Sequence, residues 1–191
     1  AAVAVSKDIV VVPYSSGELY AMRVENGRIV WNDSLIFQGR LGADTSLSDI
    51  DASPVIVDNT VYAGSNSGRL VAIELRTGAQ LWEQEIASSE TPWAAGNYLF
   101  VMTTGNDLVC LHRITGKIHW ISPMPKFDDP TDGKSRLIWT RPLLAGDRLI
   151  IANNFGEIRA ISPYSGNILG QISLGAGIKI SPIVARGTVY I

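Results

Sequence analysis

Few residues in this chain are placed to do chemistry. Asp49 and Asp51 stand two apart in Ser48-Asp49-Ile50-Asp51, so in an extended segment their carboxylates point the same way. Three readings stay open for that pair. It is a solvated loop capping the entrance to a strand, a catalytic carboxylate pair whose substrate nothing in the sequence suggests, or an acidic contact for a basic patch on a partner. His112 and His119 lie seven residues apart, but a zinc site needs more ligands of the right kind and spacing. The single cysteine, Cys110, can form no disulfide within the chain and reads as a buried thiol. One cysteine does not reveal a compartment. No nucleophile motif, Gly-rich phosphate loop or paired metal-ligand motif stands out. The chain is therefore expected to be no enzyme and to carry no metal or cofactor.

The elements that position these residues are set by a repeat. Gly68 to Trp82, GRLVAIELRTGAQLW, carries Gly68, Ala72, Gly78 and Trp82 in a fixed frame. The frame recurs with Gly17, Ala21, Gly27 and Trp31, and again from Asn106 with Cys110, Gly116 and Trp120. A fourth copy has Gly156, Ala160 and Gly166, with Gly170 in place of the Trp. A fixed period of this kind must be recognised before any single element is assigned. The repeat also demotes the histidines, because the second copy puts Glu74 and Leu81 at their positions.

Each copy reads as two strands around a Gly turn, since Gly supplies the positive φ such a turn needs. Two more strand-like segments precede each copy, such as Pro54 to Val57 and Val61 to Gly64 around Asp58-Asn59. The unit is thus four short antiparallel strands. Its starts at 17, 68, 106 and 156 give periods of 51, 38 and 50 residues. Four-stranded units of about 40 residues are the signature of β-propeller blades. The inner strands are apolar at successive positions, as in Leu70, Val71, Ala72 and Ile73, which suits a sheet buried on both faces. Ala21, Ala72, Cys110 and Ala160 are small where a neighbouring blade approaches, and Trp31, Trp82 and Trp120 are plates for the wedge between blades.

The expected fold is therefore all-β, a propeller arc of about four blades and the start of a fifth. The blades fall at residues 1–34, 52–87, 91–122, 142–174 and 180–191. Insertions at 32–53 and 121–141 account for the long periods, and loops of that length are more often functional than bland. The second contains three prolines and Gly133, which argues for an irregular loop, anchored at its end by Ile138 and Trp139. The chain begins just before one strand and stops within another, so it is expected to be part of a longer propeller. An unclosed arc exposes strand edges, so taken alone it is expected to pair with another copy or to aggregate.

Charge and hydropathy narrow the classes further. Sixteen basic and eighteen acidic side chains give a net charge of −2. No basic stripe suggests a nucleic-acid partner. No 18-residue apolar run suggests a membrane span. No signal peptide is visible, and an incomplete N-terminus would not show one.

The Ala-x5-Gly-x3-Trp frame resembles the propeller repeat of quinoprotein dehydrogenases. Residues 47–82, LSDIDASPVIVDNTVYAGSNSGRLVAIELRTGAQLW, resemble more closely the BamB family of bacterial outer-membrane β-barrel assembly lipoproteins. That family carries Leu-Ser-Asp-(Val/Ile)-Asp ahead of a Pro-Val-Val-type strand. The likeness continues through residues 146–171, GDRLIIANNFGEIRAISPYSGNILGQ, where the Trp is absent as well. It covers nearly the whole chain but only about half of the family's eight-bladed propeller.

This resemblance implies a non-enzymatic scaffold, lipid-anchored on the periplasmic face of the outer membrane. It implies that Leu47, Ser48, Asp49 and Asp51 help dock the propeller onto the periplasmic POTRA domains of the barrel-forming subunit. Unfolded outer-membrane proteins are further candidate partners, held by addition to exposed strand edges. The alternative, a fragment of a quinoprotein dehydrogenase, calls for a quinone, a Ca²⁺ site of carboxylates and carbonyls and a base beside them. The adjacent cysteine pair common in those enzymes is absent.

Overall fold

The computed structural model describes residues 1–36, 50–131 and 133–191. Four antiparallel sheets of four strands follow one another along the chain, and a two-stranded hairpin comes last. The first sheet holds β1 (Ala4–Ser6), β2 (Ile9–Pro13), β3 (Glu18–Arg23) and β4 (Ile29–Ser34). The second holds β5 (Val55–Val57), β6 (Thr60–Gly64), β7 (Arg69–Glu74) and β8 (Gln80–Glu85). The third holds β9 (Trp93–Ala95), β10 (Tyr98–Met102), β11 (Asp107–His112) and β12 (Ile118–Pro123). The fourth holds β13 (Leu143–Ala145), β14 (Arg148–Ala152), β15 (Glu157–Ile161) and β16 (Ile168–Ser173). The hairpin is β17 (Ile183–Ala185) with β18 (Thr188–Tyr190).

Strands pair in chain order within every sheet, and the first strands β1, β5, β9, β13 and β17 lie successively against one another. The sheets are thus blades of a β-propeller, with the first strand of each nearest the axis. No helix of the described residues is long and apolar enough to cross a membrane.

The core sits between the sheets. In β7, Val71 and Ile73 pack with Leu19, Ala21 and Trp31 of the first blade. Leu70 and Ala72 of the same strand pack with Leu99, Val101 and Leu111 of the third. Strand β11 alternates likewise, with Val109 and Leu111 toward the second blade and Leu108 and Cys110 toward the fourth. A strand sends successive side chains to opposite faces, so two covered faces demand an unbroken apolar run. Each such side chain, fully buried, contributes about 1.5–3 kcal/mol of transfer free energy.

The continuous apolar runs belong to the second and third strands of the middle blades, not to the axial ones. The axial β5 and β9 are three residues long and only half-buried. Strands next to the axis have a sheet neighbour on one side only, so less of their surface is covered.

The frame residues meet in one local arrangement. Ala21 pairs with Trp31, Ala72 with Trp82, Cys110 with Trp120 and Ala160 with Gly170. In each blade the register shifts directly after the small residue. A bulge of this kind re-aims the side chain beside it. The small residue leaves room for the indole that faces it across the strand pair. Each hairpin turn then carries its Gly at positive φ, as at Gly78 (φ 76°) and Gly116 (φ 69°). The residue before the Gly accepts from the amide after it: Asn26 from Arg28, Thr77 from Ala79 and Ser165 from Asn167.

Candidate functional site

Both insertions leave the outer strand of one blade and return at the axial strand of the next, and the blades grip both. Leu35, at the start of the first insertion, is fully buried, and its amide donates to the Gly17 carbonyl at 2.7 Å. Just before it, the Arg69 guanidinium bonds the Ser34 carbonyl and reaches the Asp33 carboxylate at 3.2 Å. Arg69 also meets Glu83 at 3.1 Å and Gln80 at 2.7 Å, so one half-buried cation joins the first two blades.

The Leu35 carbonyl accepts from the Ser65 hydroxyl at 2.7 Å and the Ser67 hydroxyl at 2.9 Å. At the other end of the insertion, Ile50 and Ala52 are buried. Asp51 lies between them and is exposed, as alternation along an extended segment requires. Its Oδ2 accepts from Asn66 Nδ2 at 2.7 Å. Leu47, Ser48 and Asp49 lie outside the described residues.

The second insertion is packed onto the blades that flank it. Leu137 and Trp139 are buried and join Met124 in the cluster between the third and fourth blades. The Trp139 indole donates to the Pro125 carbonyl at 3.0 Å, and the Arg159 guanidinium lies 5.1 Å from its ring centroid. Ile138, expected to anchor the loop with Trp139, is instead 62% exposed. Its neighbours point inward, and alternation turns it out. What fixes it is its backbone: Asn154 Oδ1 accepts from the Ile138 amide at 2.8 Å, and Asn154 Nδ2 donates to the Arg136 carbonyl at 3.1 Å. Asn106 donates to the carbonyls of Pro125 and Leu137, each at 3.0 Å. A cleft of about 280 Å³ opens between Thr104 and Asn106 on one wall and Lys126, Phe127 and Arg136 on the other.

Asn66 and Asn154 were not anticipated from the sequence. Each stands two residues before the repeat Gly, Gly68 and Gly156, of a blade that follows an insertion. The other two copies have Ser15 and Thr104 there. That contrast was the available signal.

A belt of hydrogen bonds runs along the entries to the axial strands. The Ala2 amide donates to Ser53 Oγ at 2.8 Å, the Ser53 amide to Thr91 Oγ1 at 3.2 Å, and the Arg141 amide to Glu90 Oε2 at 3.1 Å. Burial pushes the Glu90 carboxyl above its usual range, against the pull of the Arg141 amide and guanidinium.

The remaining chemical candidates are dispersed. His112 and His119 both lie against Tyr98, at 6.5 and 5.4 Å between ring centroids, and His112 Nδ1 meets Thr115 Oγ1 at 3.2 Å. Burial pushes the Cys110 thiol up to about 12, where it is a poor nucleophile. Among the described residues, no three His, Cys, Asp or Glu side chains gather closely enough to hold a metal ion. The arrangement presents loops on a rigid frame, which suits binding.

Comparison with known proteins identifies the family. The family model described as "Outer membrane protein assembly factor BamB" matches residues 1–122. The protein of that name from Legionella pneumophila is 27% identical over 184 residues, covering 96% of this chain and 46% of the relative. That from Escherichia coli is 25% identical, covering 95% and 44%. The chain thus spans a little under half the length of these relatives. The crystal structure of BamB from Moraxella catarrhalis superposes with a TM-score of 0.80 at 21% identity, covering 96% of this chain and 52% of that one. A europium-containing methanol dehydrogenase shares the fold with a TM-score of 0.66 at 12% identity, covering 91% and 41%. With the model matching well over half of its residues, the chain belongs to the family of the outer membrane protein assembly factor BamB.

Proposed function

We propose that this chain is part of a non-enzymatic docking scaffold for outer-membrane β-barrel assembly. In this reading it acts on the periplasmic face of the outer membrane, held there by a lipid anchor. It docks onto the periplasmic POTRA domains of the barrel-forming subunit through Leu47, Ser48, Asp49 and Asp51. Membership of the assembly-factor family is what supports the class of function. The observation that carries the site is Asp51, an exposed carboxylate between the buried Ile50 and Ala52. A carboxylate presented from a pinned loop meets a basic partner with little ordering cost.

The test is the dissociation constant between the full-length protein and the purified periplasmic domains of that subunit, for wild type and for Asp49→Ala with Asp51→Ala. A desolvated interfacial charge contact is worth about 2 kcal/mol or more, so a loss of tenfold or greater is expected. Unchanged affinity in a variant that melts like wild type overturns the assignment of the site.

A further inference from the structure

We infer that Asn66 is a positioning residue for the Asp51 carboxylate, acting on the partner only through it; this rests on the docking reading above. The turn Ser65–Gly68 between β6 and β7 is a clasp on the first insertion. The Ser65 and Ser67 hydroxyls hold the Leu35 carbonyl at one end, and Asn66 holds the Asp51 carboxylate at the other. The clasp is itself fixed, because the Ser65 amide donates to the Arg69 carbonyl at 3.0 Å and the two serine hydroxyls lie 2.8 Å apart.

The orientation of the Asn66 amide has one solution. Only its NH₂ can face a carboxylate, since the flipped amide would set two acceptors against each other. That orientation leaves Asn66 Oδ1 buried with no hydrogen-bond partner among the described residues. A buried acceptor is left unpaired only where something else dictates the rotamer, and such exceptions call for an explanation. Here the bond to Asp51 supplies one. Asn154, at the same place in its repeat, uses both amide atoms on the second insertion, so the position allows full pairing and Asn66 departs from it toward the carboxylate.

The consequence concerns which oxygen the partner meets. Asn66 occupies one acceptor site of Oδ2. A carboxylate has about four such sites, so Oδ1 and the rest remain for an ammonium or guanidinium group. Held this way, the side chain loses fewer rotamers when the partner arrives. The partner's chemistry at this point is a basic side chain.

The experiment is a double-mutant cycle on the full-length protein, with the periplasmic domains of the barrel-forming subunit as the binding probe. Asn66→Ala is expected to weaken binding about threefold to tenfold, the range that one unrestrained side chain implies. Asn66→Asp, which sets two carboxylates together, is expected to weaken it further. Asn66→Ser keeps a turn-forming residue and serves as the second variant where Asn66→Ala melts early. In the Asp51→Ala background each Asn66 substitution is expected to have no added effect, because coupled residues are non-additive. A general structural defect would weaken binding in both backgrounds, and that result overturns the inference. If Asp51→Ala weakens binding while the Asn66 variants match wild type, the positioning role fails and the docking site stands. If Asp51→Ala itself binds like wild type, the docking reading fails first.

Discussion

The indole of Trp82 donates from Nε1 to the carbonyl oxygen of Arg113 at 2.7 Å, across the boundary between two blades. Trp31 does the same to Leu75 at 2.7 Å, and Trp120 to Pro163 at 3.1 Å. The acceptor is always three residues before the turn Gly of the following blade. That Gly lies under the ring: a Cβ on Gly116 would stand 2.7 Å from Trp82 Cδ2, and one on Gly166 2.7 Å from Trp120 Cε3. The Trp of one repeat and the Gly of the next are therefore one joint. The two residue types recur together because each requires the other.

Substitution at the joint should be costly for two separate reasons. Gly116→Ala places a side chain at φ 69° and drives a methyl into the Trp82 ring. Strain at such a backbone position and overpacking each cost about 1–3 kcal/mol. Gly146→Ala has the first cost without the second, since its φ is 60° and nothing lies within 4 Å of the added carbon. Urea melts should therefore place Gly116→Ala below Gly146→Ala by about 1–3 kcal/mol. Equal losses would show that the ring yields and that the contact is incidental.

Trp82→Phe separates the ring from its hydrogen bond. Phe keeps much of the apolar plate but leaves the Arg113 carbonyl without the indole donor. An acceptor left unpaired costs about 1–3 kcal/mol when fully buried and less at this part-buried carbonyl, whereas Trp82→Ala should cost about 3–5 kcal/mol. Trp82→Phe should accordingly melt between wild type and Trp82→Ala. A Trp82→Phe variant as stable as wild type would assign the joint to packing alone.

How much of this was legible in the sequence depends on whether the determinant is local. The propeller of four-stranded antiparallel blades was legible because Gly, small residue, Gly and Trp recur within fifteen residues. The two-sided burial of Leu70 to Ile73 was legible from its unbroken apolar run. Which strand is axial was not legible, because it depends on how the sheets meet each other. Ile138 was misread because two apolar neighbours look alike until alternation turns one outward. Asn66 was missed because its partner lies fifteen residues away in an insertion, and only the fold brings them together. Leu47, Ser48 and Asp49 rest on resemblance alone.

Asn154 offers a test of what holds the second insertion. Its side-chain amide ties the fourth blade to the backbone of Arg136 and Ile138, beside a main-chain bond from the Asn154 amide to the Ile138 carbonyl at 3.2 Å. Asn154→Ala removes both side-chain bonds, each worth about 0.5–1.5 kcal/mol net. Trp139 and Leu137 stay buried, so global stability should fall by no more than about 3 kcal/mol. The local effect should be larger, because opening of a loop is governed by the bonds that close it. Limited trypsin digestion should then cut at Lys126 or Arg136 faster in the variant. Identical digestion would assign the anchoring to the other contacts, the buried Leu137 and Trp139 and the Asn106 bonds.

Cys110 occupies a position where other repeats carry Ala21, Ala72 and Ala160. Cys110→Ala should therefore be well tolerated, with a loss of about 1 kcal/mol or less, whereas Cys110→Leu should cost about 1–3 kcal/mol by overpacking against Trp120. The native thiol, fully buried and pushed up to about 12, should react with a thiol reagent at pH 8 only as fast as the structure opens. Rapid labelling of folded protein would contradict that burial.

Glu90 should make stability depend on pH with a definite sign. Burial first raises its carboxyl above the ordinary glutamate value of 4.5, while the Arg141 amide and charge oppose that rise. The folded state therefore binds the proton more tightly than the unfolded one. Stability falls as pH rises from the unfolded value through the folded one, and the penalty is complete once pH exceeds the folded value. Below the unfolded value both states are protonated and the penalty vanishes. Glu90→Gln keeps an oxygen to accept from the Arg141 amide and carries no charge to desolvate. The variant should exceed wild type in stability at pH 7 and converge with it below pH 4.5. A variant less stable than wild type at pH 7 would show that the Arg141 charge outweighs burial, and the carboxylate would then be a stabilising member of the belt around the axis.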